Sequence, residues 1–304
     1  MMYVWLILGF VLLIKGADYF VEASSSIAKT LRVPSIIIGL TIVAFGTSAP
    51  ELAVSTTAAL AGNNDIAIGN VIGSNIFNLL VVLGACGIIR PFAVKLRWDY
   101  AASVGVAVIL FLMMLTNHEI TRTKAIILLC LFAVFVGLTI RDARINRTPS
   151  DEEIQALPLW LSAVFIIGGL AAIVWGGNLV VENATAIAAS FGLSQNLIGL
   201  TIVALGTSLP ELVTSIVAAR KGENGLALGN VIGSNIFNIL MVLGVSSVIS
   251  PIKVNPLSLY DTAFLIAASL LTWIWCKSKK QLDRTECFFM LLLYFIYMIY
   301  IMMR

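Results

Sequence analysis

Residues 39–51 read GLTIVAFGTSAPE and residues 199–211 read GLTIVALGTSLPE, differing only at Phe45/Leu205 and Ala49/Leu209. The displacement is 199 − 39 = 160 positions, and at the same displacement GNVIGSNIFN at 69–78 recurs unchanged at 229–238. Further out, Gly16 aligns with Gly176, Glu22 with Glu182, Ile27-Ala28 with Ile187-Ala188 and Pro91 with Pro251. A displacement that holds over this length leaves no insertion between the copies, so the chain is one unit written twice. Each copy carries a glutamate, Glu51 or Glu211, inside otherwise apolar sequence. A carboxylate at membrane depth is costly and by default marks an ion or substrate pathway.

The composition agrees with a membrane setting. Hydrophobic residues make up 60% and charged residues 12%, with a mean hydropathy of +1.00, which excludes an ordinary soluble domain. About ten stretches are long enough to cross a bilayer, near 3–22, 35–60, 66–89, 99–116, 124–140, 158–181, 195–219, 225–249, 258–276 and 286–302. The expected fold is therefore all-α and integral to the membrane. The first unit is expected over 1–140, a short charged connector over 141–157 and the second unit over 158–304. Five spans is an odd number, so the second unit enters the membrane in the opposite orientation. Inverted-topology repeats of this kind place substrate sites near the midplane, where the units meet.

The first span lacks a basic lead and a small-residue cleavage site, and is read as a helix and not a signal peptide. Lys and Arg gather in the loops on one side, among them Lys29, Arg90, Arg141, Arg220, Lys221 and Arg284; the other side receives Arg122, Lys124, Lys253 and Arg304. Positive-inside bias then puts both termini outside. The connector carries Ser150 followed by Glu153, which resembles a capping box in an otherwise solvated linker. Cys86, Cys130, Cys276 and Cys287 lack C-x-x-C spacing and are read as small buried hydrophobes. The single His118 is read as a surface residue. Lys15, Asp18 and Glu22 lie near the inner end of the first span, where Lys15 can snorkel.

The repeated segments carry the chemistry. Pro50 lacks an N–H and clashes with the carbonyl four residues back, so the helix is expected to break around Gly46; Pro210 and Gly206 repeat the arrangement. In lipid a broken helix is tolerated only where it is packed in protein or lines an aqueous cavity. Ala44, Thr47, Ser48 and Glu51 fall on one face at helical spacing, as do Ala204, Thr207, Ser208 and Glu211. Asn70, Ser74 and Asn78 form a polar stripe beside the G-x-x-x-G of Gly69 and Gly73, repeated by Asn230, Ser234, Asn238, Gly229 and Gly233. These four segments contain no Lys, Arg or His. Two unneutralised buried carboxylates bind protons or cations. Oxygen donors without Cys or His suit a hard cation such as calcium.

The paired G-T-S-x-P-E and G-N-x-x-G-S-N motifs resemble the signature repeats of the cation/calcium antiporter superfamily, and most nearly its prokaryotic sodium/calcium exchangers. The resemblance spans nearly the whole chain. It implies ten helices in two inverted units, with helices 2, 3, 7 and 8 enclosing the ions. It also implies Glu51 and Glu211 as principal calcium ligands that contact sodium too, completed by the carbonyls of Ala44 and Ala204 and by Thr47, Ser48, Thr207, Ser208, Ser74 and Ser234. Exchange in the family is typically three sodium ions for one calcium, by alternating access with sliding of the first and sixth helices. Many exchangers have an aspartate in the second S-N-I-x-D, where this chain has Asn238, matching Asn78.

The expectation is a secondary antiporter that exchanges Na⁺ for Ca²⁺ across a prokaryotic plasma or inner membrane. Its partners are the two ions and the lipid bilayer, with no cofactor, nucleic acid or protein partner implied. A proton/calcium exchanger of the same fold is the nearest alternative, and a passive cation channel is another. A membrane-embedded lipid phosphatase would be an enzyme, but it needs cationic groups to hold an anionic substrate, and the repeats supply none.

Overall fold

The computed structural model describes residues 1–93, 97–146, 156–192, 204–279 and 281–303. Eight of its helices are long and apolar enough to cross a membrane: α1 (Met2–Leu31), α4 (Asn64–Ile89), α5 (Trp98–Leu115), α6 (Arg122–Ile145), α7 (Leu159–Ser190), α10 (Asn224–Ile249), α11 (Pro256–Lys279) and α12 (Arg284–Met303). A bent pair, α2 (Ser35–Thr47) and α3 (Ala49–Leu60), turns through 46° and makes a ninth crossing if counted as one span. Its counterpart ends in α8 (Ala204–Gly206) and α9 (Leu209–Lys221). The first part of the span expected near 195–219 lies outside the described residues, as do Ser150 and Glu153.

Two antiparallel ribbons of two residues per strand supplement the helices. One pairs β1 (Phe92–Ala93) with β4 (Gln281–Leu282), and the other pairs β2 (Glu119–Ile120) with β3 (Ile252–Lys253). Each ribbon ties a loop of one copy to a loop of the other.

The break in the bent pair falls at Ser48 (φ −85°, ψ 8°) and not around Gly46. Pro50 sits in the first turn of α3, where its missing N–H is one that no helix satisfies anyway. The clash is thereby relieved at the hinge, without unwinding the turn at Gly46. Ser208 repeats the geometry at φ −91°, ψ 6° ahead of Pro210.

Among the described residues, three single π-turns interrupt the α-helical ladders, at Gly39–Val43, Asn78–Val82 and Asn238–Val242. Such turns are rare and concentrate at functional sites. Two of them begin at the equivalent residues Asn78 and Asn238.

The helices form an inner and an outer set. In their most apolar windows α4 and α10 are 72% and 78% buried, whereas α1 and α7 are 33% and 28% buried. The outer pair packs backbone to backbone. A Cβ added at Gly9 would stand 2.9 Å from the Gly176 carbonyl oxygen, and one at Gly16 would stand 2.8 Å from that of Gly169. Rising positions in α1 meet falling positions in α7, so the two equivalent helices run antiparallel. Both glycine pairs lie seven residues apart and are related by the displacement of 160.

The inner set is tight as well. A Cβ at Gly39 would be 2.6 Å from the Leu226 carbonyl oxygen, and one at Gly233 would be 2.8 Å from that of Leu40. The G-x-x-x-G of α10 is therefore seated on α2, as its sequence predicts. The equivalent partner of Gly69 and Gly73 would lie within 193–203, outside the described residues.

Both α1 and α7 outrun the expected spans at their C-terminal ends. There α1 is tied down by polar groups: Lys221 Nζ lies 3.5 Å from Asp18 and 4.0 Å from Glu22, Ser25 donates to Glu223, and the Leu157 amide donates to Ser26 Oγ at 2.8 Å. The cysteines form no disulfide; Cys86, Cys276 and Cys287 are buried as expected, but Cys130 is exposed on the outer flank of α6. His118 is exposed and takes a positive φ of 46° at the turn before β3's partner strand.

Candidate ion site

The hinges at Ser48 and Ser208 point the first turns of α3 and α9 at the same place. Glu51 and Glu211 each lie in such a first turn, and both are 0% exposed. A helix N-terminus carries unpaired N–H groups and partial positive charge, which suits a carboxylate there. Each glutamate is then reached by a serine of the other copy. Ser48 Oγ donates to Glu211 Oε1 at 2.9 Å, and Ser208 Oγ donates to Glu51 Oε1 at 3.1 Å. Ser74 joins beside Glu51: its hydroxyl lies 3.0 Å from Ser208 Oγ and 3.5 Å from Glu51 Oε1.

The second oxygen, Oε2, of both glutamates is buried and has no hydrogen-bond partner among the described residues. Nor does any basic side chain there form an ion pair with either carboxylate. Each carboxylate is thus left with one buried acceptor oxygen unpaired, which is costly unless a cation or proton is accommodated.

The other expected ligands divide. Ser234 is buried beside α9 with its Oγ unpartnered, and Asn78 is buried with both amide atoms unpartnered. Asn238, also buried, donates from Nδ2 to Asn75 Oδ1 at 3.1 Å and keeps Oδ1 unpartnered. The Ala44 carbonyl closes the last turn before the hinge, accepting from the Ser48 amide at 3.1 Å. Ala204 begins α8, and its side chain lies outside the described set.

Thr47 and Thr207 also act on the carboxylate of the opposite copy, Thr47 on Glu211 and Thr207 on Glu51. Thr47 Oγ1 meets Asn230 Oδ1 at 3.1 Å, and Thr207 Oγ1 meets Asn70 Oδ1 at 3.4 Å.

Four further residues belong to the site. Asn75 Nδ2 donates to the Asn235 carbonyl at 3.1 Å and Asn235 Nδ2 returns a bond to the Asn75 carbonyl at 3.2 Å, clasping α4 to α10. Ser55 and Ser215 support Asn70 and Asn230. Their repetition at the displacement of 160 is the signal in the sequence that marks all four.

Apolar spans, a hinged helix pair and two buried carboxylates surrounded only by oxygen and amide groups define a polytopic membrane protein of the ion-transport class. The comparisons narrow this. The family model described as sodium/calcium exchanger protein matches residues 1–141 and 161–303. The putative antiporter CaxA of Alkalimonas amylolytica is 40% identical over 298 residues, 93% of each chain. The sodium/calcium exchanger MaX1 of Methanosarcina acetivorans is 33% identical, covering 97% of this chain and 96% of its own. Solved structures of the sodium-calcium exchanger NCX_Mj superpose with a TM-score of 0.86 at 33% identity, over 97% of this chain and 96% of theirs. The chain belongs to the sodium/calcium exchanger family.

Proposed function

We propose that the protein is a secondary antiporter that extrudes Ca²⁺ against an inward flow of Na⁺ by alternating access. The observation that carries this reading is the pair of buried, unneutralised carboxylates, each bonded by a serine of the opposite copy and each keeping one oxygen unpartnered. Calcium takes six to eight oxygens in adaptable geometry. Glu51 and Glu211 supply the charge; Ser48, Ser208, Ser74, Ser234, Asn78, Asn238 and the carbonyls of Ala44 and Ala204 supply neutral oxygens. Thr47 and Thr207 contribute hydroxyls to the opposite copy's carboxylate and hold that copy through Asn230 and Asn70. Two negative charges balance one divalent ion or two monovalent ions, which makes the same site usable by both cargoes.

The antiparallel packing of α1 on α7 supports two inverted five-helix units with ten crossings; the Lys and Arg bias of the loops supports both termini outside, and we read the protein as lying in a prokaryotic plasma or inner membrane. It also gives alternating access a physical route. An interface of glycines, with few polar bonds along its length, is one on which two helices can slide against the site-bearing core.

Coupling to protons is the competing reading, and Asn238 favours keeping it under test, since an amide holds no third charge. The test is ⁴⁵Ca²⁺ uptake into proteoliposomes loaded with Na⁺ or with choline, pH being clamped by ionophore. Uptake that requires the outward Na⁺ gradient and survives the clamp is expected. Uptake indifferent to Na⁺ and collapsed by the clamp would make the protein a proton/calcium exchanger.

A further inference from the structure

The second residue of each repeated decapeptide is an asparagine with both ends of its amide committed. Asn230 Nδ2 donates to Ser215 Oγ at 2.9 Å and to the Glu211 carbonyl at 3.4 Å, which leaves Oδ1 facing Thr47 Oγ1 at 3.1 Å. Asn70 repeats this atom for atom. Its Nδ2 donates to Ser55 Oγ at 2.8 Å and to the Glu51 carbonyl at 3.2 Å, and its Oδ1 accepts from Thr207 Oγ1 at 3.4 Å. Each amide thus touches the backbone of the glutamate in its own copy and the hydroxyl beside the hinge of the other.

We propose that Asn70 and Asn230 are positioning residues that fix each glutamate-bearing helix to the broken helix of the opposite copy, so that ion binding in one half is set by the other half. This rests on the cation-site reading given above. An amide is needed because the position must donate and accept at once; a carboxylate would lose both donations and an apolar side chain would lose all three bonds.

Thr47 shows how the coupling acts. Its hydroxyl has one hydrogen and several acceptors around it: Val43 O at 3.1 Å, Ala44 O at 3.5 Å and Asn230 Oδ1 at 3.1 Å, with the Glu211 carboxylate beside them. When the hydrogen goes to Asn230, the Val43 and Ala44 carbonyls just before the hinge each keep a lone pair free for a cation, the Ala44 oxygen still holding the Ser48 amide. When it returns to α2, two oxygens without a hydrogen between them face each other across the copies, which disfavours that contact. The amide of one copy therefore competes with the backbone of the other for a single proton, next to the ion site.

The test uses the full-length protein purified in detergent, with the calcium dissociation constant read by calorimetric titration of CaCl₂. Asn230→Ala and Thr47→Val are each expected to weaken binding roughly tenfold, the size of coupling between contacting residues, and the double variant is expected to be no worse than Asn230→Ala. Thr47 and Ser215 share Asn230 as a bonding partner, so Thr47→Val and Ser215→Ala are expected to be non-additive as well, and this pair serves if Asn230→Ala does not fold. Residues that merely held the fold together would lower yield and thermal midpoint but leave the affinity of the folded fraction unchanged. Wild-type affinity in the variants, or strictly additive losses, would overturn the proposal while leaving the ion site standing. A wild-type protein that binds no calcium would overturn the site reading itself.

Discussion

The inner helices α4 and α10 and the outer helices α1 and α7 are two answers to the same constraint. Both pairs are repeats of one sequence segment, and both pack against their own equivalent in the other copy. The inner pair is 72% and 78% buried and meets through amides: Asn75 and Asn235 bond reciprocally to each other's carbonyls at 3.1 and 3.2 Å. The outer pair is 33% and 28% buried and meets through glycines, backbone against backbone. A directional bond between buried amides fixes a register, because breaking it orphans polar groups in an apolar interior. A glycine interface has no such registry. Within one fold, polar clasps therefore mark the part that holds geometry and bare glycine contacts mark the part that can shift.

The largest effect is expected where the inner region meets charge. Glu51→Gln or Glu211→Gln should abolish calcium exchange, a loss of at least about a hundredfold given that removing one member of a buried charge arrangement costs about 3–5 kcal/mol. The protein should still elute as a single folded species, because glutamine preserves shape and accepts from the same serine. Transport at the wild-type rate in either variant would remove the glutamates from the site.

Next comes the outer pair. Gly16→Leu or Gly176→Leu places a side chain against backbone atoms under 3 Å from the new Cβ. The cost should exceed the about 1–3 kcal/mol of ordinary overpacking, since backbone cannot swing aside. Transport should slow sharply while calcium affinity stays within about twofold of wild type, measured on the same preparation. Equal loss of affinity and rate would dissolve the distinction between the two regions.

A smaller effect is expected at the clasp itself. Asn75→Leu leaves the Asn235 carbonyl and the Asn238 amide without their partner, and should lower stability by about 1–3 kcal/mol, read from the thermal midpoint. The smallest belongs to the exposed pairing of Lys221 with Asp18 and Glu22, at side-chain exposures of 35%, 37% and 52%. Lys221→Ala should change stability by less than about 1 kcal/mol and leave calcium affinity unaltered.

Much of this was legible in the chain before any coordinates. The displacement of 160 exposes the two copies, and the paired glutamates with their flanking serines, which the fold brings together, point to the candidate site, because duplication at fixed spacing is independent of how the helices cross. What spacing within one copy cannot show is which residues of the other copy come opposite. Thr47 shares a helical face with Glu51, yet across the copies its hydroxyl meets Asn230, 183 residues away, and Glu211. The hinge at Ser48 and the π-turns at Asn78 and Asn238 escaped for another reason. Both depend on where a helix sheds strain, which is decided by its neighbours and not by a 3.6-residue period. Asn75 and Asn235 are marked in sequence by their repetition alone, and only the crossing of α4 over α10 turns them into a clasp.

The most direct test of the central claim is equilibrium calcium binding to the purified protein, titrated with and without excess Na⁺, for wild type, Glu51→Gln and Glu211→Gln. Saturable binding that Na⁺ competes away in the wild type, and that either substitution eliminates, is the predicted result. Calcium binding that persists undiminished in both variants would contradict the account, because the two carboxylates would then not be what holds the ion.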